Sequence, residues 1–146
     1  MTPISVLFLC TGNSARSVIA ETLLKSIGGA DFEVHSAGTR PKGLNPYTAK
    51  VLDEAGLDYT GFRSKNVDEF IGDHFDYVIT VCDSAAEECP VFPGNPNLLH
   101  WSFPDPAAVD GDDLTKLAAF QQALREMRQR LEAWVPVVLR DSAAAR

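Results

Sequence analysis

Short apolar runs alternate with helically spaced apolar residues along this chain, and that alternation constrains its fold more than any other feature. Ile4–Leu9 is a brief apolar run with β-branched members, which predicts a buried strand. Val18, Ile19, Leu23, Leu24 and Ile27 then recur at helical spacing until Gly28 and Gly29 stop them. Phe32–Ser36 reads as a second strand. Asn45-Pro46 opens a helix, asparagine as cap and proline in the first turn, that closes at Gly56. Asp76–Val81 predicts a third strand, "CDSAAEECP" a short helix or loop ended by Pro90, and Asn97–Trp101 a fourth strand. Asp113 is the expected cap of a long amphipathic helix whose Leu114, Leu117, Phe120, Leu124, Met127, Leu131 and Trp134 share one face, with Pro136 as its end or kink. Strands alternating with helices imply an α/β fold: a parallel sheet, helices on both faces and right-handed crossovers. The 146 residues are expected to form one domain over 1–140, with a frayed tail at 141–146.

In such sheets ligands bind beyond the carboxyl ends of the strands. Cys10, Cys82 and the loop after Trp101 all follow predicted strands, so topology brings them to one rim. The connection from Cys10 to Arg16, "CTGNSAR", is chemically dense for a simple link between strand and helix. A thiolate is a nucleophile, and a thiol at a helix N-terminus gains from the dipole and from unpaired N–H groups. Gly12 and Asn13 suit positive φ, which turns successive N–H groups inward as a nest. Arg16 adds a planar fork of donors matched to two oxygens of a tetrahedral anion. Ser17 can donate its hydroxyl to the Cys10 sulfur and lower its pKa. Thr11, Gly12, Asn13, Ser14, Ala15, Arg16 and Ser17 are therefore the candidate oxyanion-binding residues, with Cys10 at the floor. The plainer reading is a buried strand-end cysteine with Arg16 in a surface ion pair. It suits a bare Cys and Arg; the Gly, Asn and Ser between them, and the Ser that follows, make it the poorer account.

Charge and cysteine count narrow the function classes. A formal net charge of −7 and a pI near 4.8 repel nucleic acid and anionic membrane, so neither is an expected partner. Any anion site must then be built locally against that field. No apolar run approaches the ~20 residues that cross a bilayer, and "MTPISVLFLC" lacks the basic start of a signal peptide. Three cysteines, Cys10, Cys82 and Cys89, argue against a disulfide framework and for a reducing cytoplasm. Their spacings form no C-x2-C pair, and His35, His74 and His100 are scattered, so no metal site is expected. These histidines read as satisfied structural or surface residues.

The stretch "VLFLCTGNSARS" resembles the C-x5-R phosphate loop of the low-molecular-weight protein tyrosine phosphatases and of the arsenate reductases that share their fold. Similarity runs on through "EVHSAGT", "NPYTAKVLDEAGLD", "VITVCDSAAEECPVFPG" and "HWSFPDPA", nearly to the last helix. The resemblance implies a three-layer sandwich around a four-stranded parallel sheet of order 2-1-3-4. It also implies an acid role for Asp105 of the Asp105-Pro106 element, whose plainer reading is a turn residue. Two features separate the classes. The phosphatases place an aromatic after Asp-Pro to stack on a phenyl ring, whereas this chain has Ala107 and Ala108. Cys82 and Cys89 are not required by a phosphatase but are required by redox turnover.

As the resemblance implies it, Cys10 attacks arsenate while Asp105 aids loss of oxygen. Cys82 then attacks Cys10 and releases arsenite, and Cys89 attacks Cys82 to leave a disulfide that thioredoxin reduces. Phosphate and sulfate are the expected competing oxyanions, no bound cofactor is expected, and the chain is expected to be a monomer. Residues seven apart on an ideal helix lie about 10.5 Å apart, beyond the ~7 Å that a disulfide spans. "CDSAAEEC" must therefore bend or unwind on oxidation. Asp83, Glu87 and Glu88 are expected to keep the resolving thiols quiet. In potassium-responsive members of the reductase family a cation sits near positions matching Asn13, Glu21 and Ser36. Here Arg63 and Lys65 stand where oxygen ligands would be wanted, which predicts little potassium dependence. The alternatives are a low-molecular-weight phosphatase, a reductase coupled to a small thiol and a glutaredoxin-like protein, and a non-catalytic oxyanion-binding protein.

Overall fold

The computed structural model describes residues 2–144. The elements run β1 (Ile4–Cys10), α1 (Arg16–Gly28), β2 (Phe32–Gly38), α2 (Pro46–Glu54), β3 (Tyr77–Thr80), α3 (Asp83–Glu87), β4 (Asn97–His100) and α4 (Asp113–Ala144). The strands form one parallel sheet in the order β2-β1-β3-β4, as expected of this α/β architecture. Successive side chains of a strand point to opposite faces. Val6, Leu7, Phe8 and Leu9 of β1 are nonetheless all without exposed surface, so both faces of the sheet are covered. That double coverage is why the first strand reads as continuous apolar residues rather than an alternation.

Apolar stripes explain the helices. Ile19, Leu23 and Leu24 of α1 are buried with Phe120, Met127 and Leu131 of α4 in the same core as Phe8 and Ile79. Asn45 caps α2 by accepting from the Tyr47 N–H at 2.9 Å, with Pro46 in the first turn, as its sequence predicts. Two details of α4 differ from expectation. The capping side chain is Asp112, whose Oδ1 accepts from the Thr115 N–H at 2.8 Å. Asp113 instead accepts from the Tyr47 hydroxyl at 2.5 Å and ties α4 to α2. Leu114, one turn too early to meet the sheet, is exposed. The helix also passes through Pro136 and continues to Ala144. The segment 141–144, expected to fray, is thus helical, and residues 145 and 146 lie outside the described residues. Trp134 lies among Phe32, Tyr77 and Trp101, and buried Trp101 packs on Phe8.

The sheet ends where the unusual loop begins. Cys10, the last residue of β1, pairs with Gly38, the last of β2. A Cβ on Gly38 would lie 2.5 Å from the Thr11 carbonyl oxygen and 3.0 Å from the Asn13 nitrogen, both backbone atoms. No residue larger than glycine fits without moving the loop. Gly38→Ala is expected to lower stability by about 1–3 kcal/mol, the cost of overpacking a close site. A urea titration measures this, and an unchanged midpoint would show that the loop yields freely.

Candidate active site

The loop between Cys10 and Arg16 is held from outside through its carbonyls. The Cys10 carbonyl accepts from the Thr39 N–H at 3.1 Å, Thr11 from Arg40 at 2.8 Å, Gly12 from Lys42 at 3.0 Å and Ser14 from Asn45 at 3.0 Å. The Thr48 hydroxyl adds a second bond to the Ser14 carbonyl at 2.8 Å. There are no cis peptides among the described residues. In a planar trans peptide the following N–H points opposite to the carbonyl. The amides of Thr11, Gly12, Asn13 and Ala15 therefore turn away from the 39–48 segment, toward the loop's interior. One is seen doing so: the Asn13 N–H lies 3.2 Å from the Cys10 sulfur. Asn13 is also the one loop residue with positive φ, 46°.

A directed hydrogen-bond network supports the sulfur. The Lys65 N–H donates to Asn13 Oδ1 at 3.0 Å, which fixes the orientation of that side-chain amide. Asn13 Nδ2 then donates to Ser17 Oγ at 2.8 Å and to Ser36 Oγ at 3.0 Å. Because Ser17 accepts from Asn13, its own proton is free to point to the Cys10 sulfur, 2.8 Å away. Ser36 in turn donates to the buried Glu21 carboxylate. Cys10 itself is buried. The Asn13 N–H is thus one fixed donor at the sulfur, and the Ser17 hydroxyl is a second when Cys10 is a thiolate.

Arg16 begins α1. Its Nη1 donates to the Phe103 carbonyl at 3.1 Å, and its Nη2 lies 3.6 Å from Asp105 Oδ2. Asp105 also accepts from the Ala107 N–H at 3.0 Å, so the turn role and the nearness to Arg16 coexist. Ala107 and Ala108 after it are exposed and build no wall.

Cys82 stands two residues beyond β3, buried, at the start of α3. Its sulfur lies 3.4 Å from the hydroxyl of Thr11, the residue after Cys10. Cys89, half-buried, follows α3, and burial pushes its thiol above the ordinary range. That cause differs from expectation. Two of the three acids are engaged elsewhere: Asp83 with His100 and Ser102, and Glu88, just after α3, with Arg40. The Ala86 N–H reaches the Cys82 carbonyl at 3.2 Å and Glu88 reaches Ser84 at 3.0 Å, so the segment joining the cysteines is wound.

The residues that would line a monovalent-cation site do not fit one. Lys25 Nζ lies 2.6 Å from Glu21 Oε2. Lys65 lines the same cavity as Glu21 and Lys25, its Nζ donating to the Arg63 carbonyl at 2.9 Å; burial pushes its ammonium below the ordinary range, and the Glu21 charge partly opposes this. Lys25, four residues after Glu21, was legible as a helical ion pair in the sequence. The Thr11–Cys82 contact and the His100–Asp83 pair were not, since both depend on which strands lie side by side. Among the described residues no group of three or more His, Cys, Asp and Glu is arranged to hold a metal ion.

Comparison with known proteins agrees with this geometry. The family model described as low molecular weight phosphotyrosine protein phosphatase matches residues 5–144. Among relatives, the arsenate reductase of Bacillus subtilis is 40% identical over 127 residues, 87% of this chain and 91% of its own. The crystal structure of an arsenate reductase from Archaeoglobus fulgidus superposes with a TM-score of 0.72 at 30% identity, covering 90% of this chain and 98% of that one. A thioredoxin-dependent arsenate reductase from Corynebacterium glutamicum gives 0.64 at 29% identity, covering 90% of this chain and 64% of the other. By the extent of these matches, this chain belongs to the low molecular weight phosphotyrosine protein phosphatase family, beside its arsenate reductases.

Proposed function

We propose that this chain is an arsenate reductase in which Cys10, Cys82 and Cys89 act in that order to reduce arsenic, and thioredoxin then reduces the Cys82–Cys89 disulfide. The observation that carries the reading is the buried Cys10 sulfur, met by Ser17 and the Asn13 amide, with the Cys82 sulfur against the adjoining Thr11. The inward amides of the loop and the Arg16 fork would take the arsenate oxygens. The Cys10 thiolate attacks arsenic, and Asp105 gives a proton to the departing oxygen, which leaves as water. The Cys82 thiolate then attacks the Cys10 sulfur. An S–S bond forms, the S–As electron pair stays on arsenic, and arsenite departs reduced by two electrons. Cys89 attacks Cys82, freeing Cys10 as a thiolate, and the Cys82–Cys89 disulfide goes to the thioredoxin dithiol.

Two features weigh against an ester-specific phosphatase. Ala107 and Ala108 give a phenyl ring nothing to stack on, and Cys82 lies against Thr11 of the loop with Cys89 seven residues on. A weak aryl phosphatase activity follows from the shared loop. The thioredoxin dependence of the Corynebacterium relative supports that reductant. No helix among the described residues is long and apolar enough to cross a membrane. A monomer acting in the reducing cytoplasm is the setting in which three free thiols persist.

Arsenate turnover coupled to NADPH through thioredoxin and its reductase should fall to background for Cys10→Ser, Cys82→Ser and Cys89→Ser alike. Full activity of Cys89→Ser would instead favour a small-thiol route. With wild-type protein, replacing sodium by potassium should change kcat/KM by less than twofold, because Lys25 already pairs with Glu21 and Lys65 lines the same cavity. A severalfold stimulation would overturn that reading.

A further inference from the structure

We propose that Asp83 and His100 are positioning residues for the resolving cysteines: their link pins the first turn of α3 to β4, holds Cys82 and Cys89 apart, and so sets how readily those two sulfurs join. This rests on the relay proposed above.

The link is directional. Thr80 and His100 are partners across the β3–β4 ladder. His100 Nδ1 lies 2.7 Å from the Thr80 hydroxyl, and Nε2 lies 2.9 Å from Asp83 Oδ1. An ionised carboxylate can only accept, so Nε2 is the donor to Asp83, while the Thr80 hydroxyl lies between Nδ1 and the Leu99 carbonyl at 3.4 Å. Ser102 Oγ donates to the same Asp83 oxygen at 3.2 Å. The hydrogen bonds from His100 and Ser102 hold the Asp83 carboxyl below the ordinary carboxylate range. Asp83 directly follows Cys82. At the other end of α3, Glu88 directly precedes Cys89 and meets Arg40 at 3.3 Å. Arg40 belongs to the segment that holds the phosphate loop, its N–H on the Thr11 carbonyl. The wound segment is thus tied at both ends to different parts of the frame.

Closing the disulfide breaks this arrangement. An ideal helix sets residues seven apart about 10.5 Å apart, beyond the ~7 Å that a disulfide spans between Cα atoms; α3 covers Asp83–Glu87, wholly between the two cysteines, so closure is expected to open its turns. Asp83 and Glu88 cannot then both keep their partners. The Asp83–His100 link therefore belongs to the dithiol form and favours it. In turnover closure is an exchange: the Cys89 thiolate attacks the Cys82 sulfur, the Cys82–Cys89 bond replaces the Cys10–Cys82 bond, and Cys10 leaves as the thiolate. From the free dithiol, as in a titration, closure removes two protons and two electrons, which pass to glutathione disulfide and give two glutathione thiols. Both side chains are largely accessible, Asp83 at 79% and His100 at 39%, so the bias is modest.

The test uses the full chain carrying Cys10→Ser, equilibrated in glutathione buffers and scored by mass-tagging free thiols. His100→Ala is expected to favour closure about fivefold, a potential lower by about 20 mV at 29.6 mV per tenfold. His100→Gln keeps a donor near Nε2 and should restore most of the parent value. Asp83→Ala should lower the potential too, and Asp83→Ala/His100→Ala by less than the sum of the single shifts, as expected of two groups acting through one contact. Unmoved potentials, or additive shifts, overturn the pin. If the Cys10→Ser parent never closes a Cys82–Cys89 disulfide at any poise, the relay falls and the pin with it. If the parent closes and the variants match it, the pin alone falls.

Discussion

Four outward carbonyls organise the site. The segment 39–48 takes hold of the phosphate loop through the oxygens of Cys10, Thr11, Gly12 and Ser14, and peptide planarity then dictates where the intervening amides face. A buried backbone group left without a partner is costly, so these bonds do more than tether. They satisfy the acceptors on the outside and leave donors on the inside. The chain has a net charge of −7, which opposes anions at long range. In the proposed mechanism, fixed dipoles within a few ångströms of the oxyanion answer that field locally, where they are strongest.

From this constraint the rest follows in layers. Gly38 is small because β2 passes within contact distance of the loop backbone. Asn13 adopts positive φ and spreads one oriented side chain over Ser17, Ser36 and Lys65. Its two N–H donors lead through two hydroxyls to two acceptors, the Cys10 sulfur and Glu21. In the proposed mechanism the same amide sets the nucleophile and balances the carboxylate behind it. Lys25 adds a direct ion pair to that carboxylate.

Much of this was legible in the sequence, and the limits are physical. The Gly-Asn pair, the strand-end cysteine and the arginine six residues on carry their own chemistry, so the loop could be read before any coordinates. The alternation of strand and helix patterns put Cys10 and Cys82 on one rim. Contacts across the sheet could not be read in this way. Thr80 meets His100 only because β3 and β4 pair in that register, and His100 looks idle until Asp83 is brought to it. Local competition misled elsewhere. Asp112 and Asp113 are equally good caps, and only the Tyr47 hydroxyl decides which one is free to cap. Pro136 sits inside a helix that its packing sustains, with Val135 and Val138 buried on either side.

The central claim is that an oxyanion is held by backbone amides of the loop, directly over Cys10. Amide resonances of 15N-labelled protein carrying Cys10→Ser, followed as arsenate is added, test it most directly. The account predicts that Thr11, Gly12, Asn13 and Ala15 move together to saturation. A competing location exists in the cavity of about 620 Å3 lined by Lys25, Arg63 and Lys65. Shifts confined to that cavity, with the four loop amides unmoved, would contradict the account.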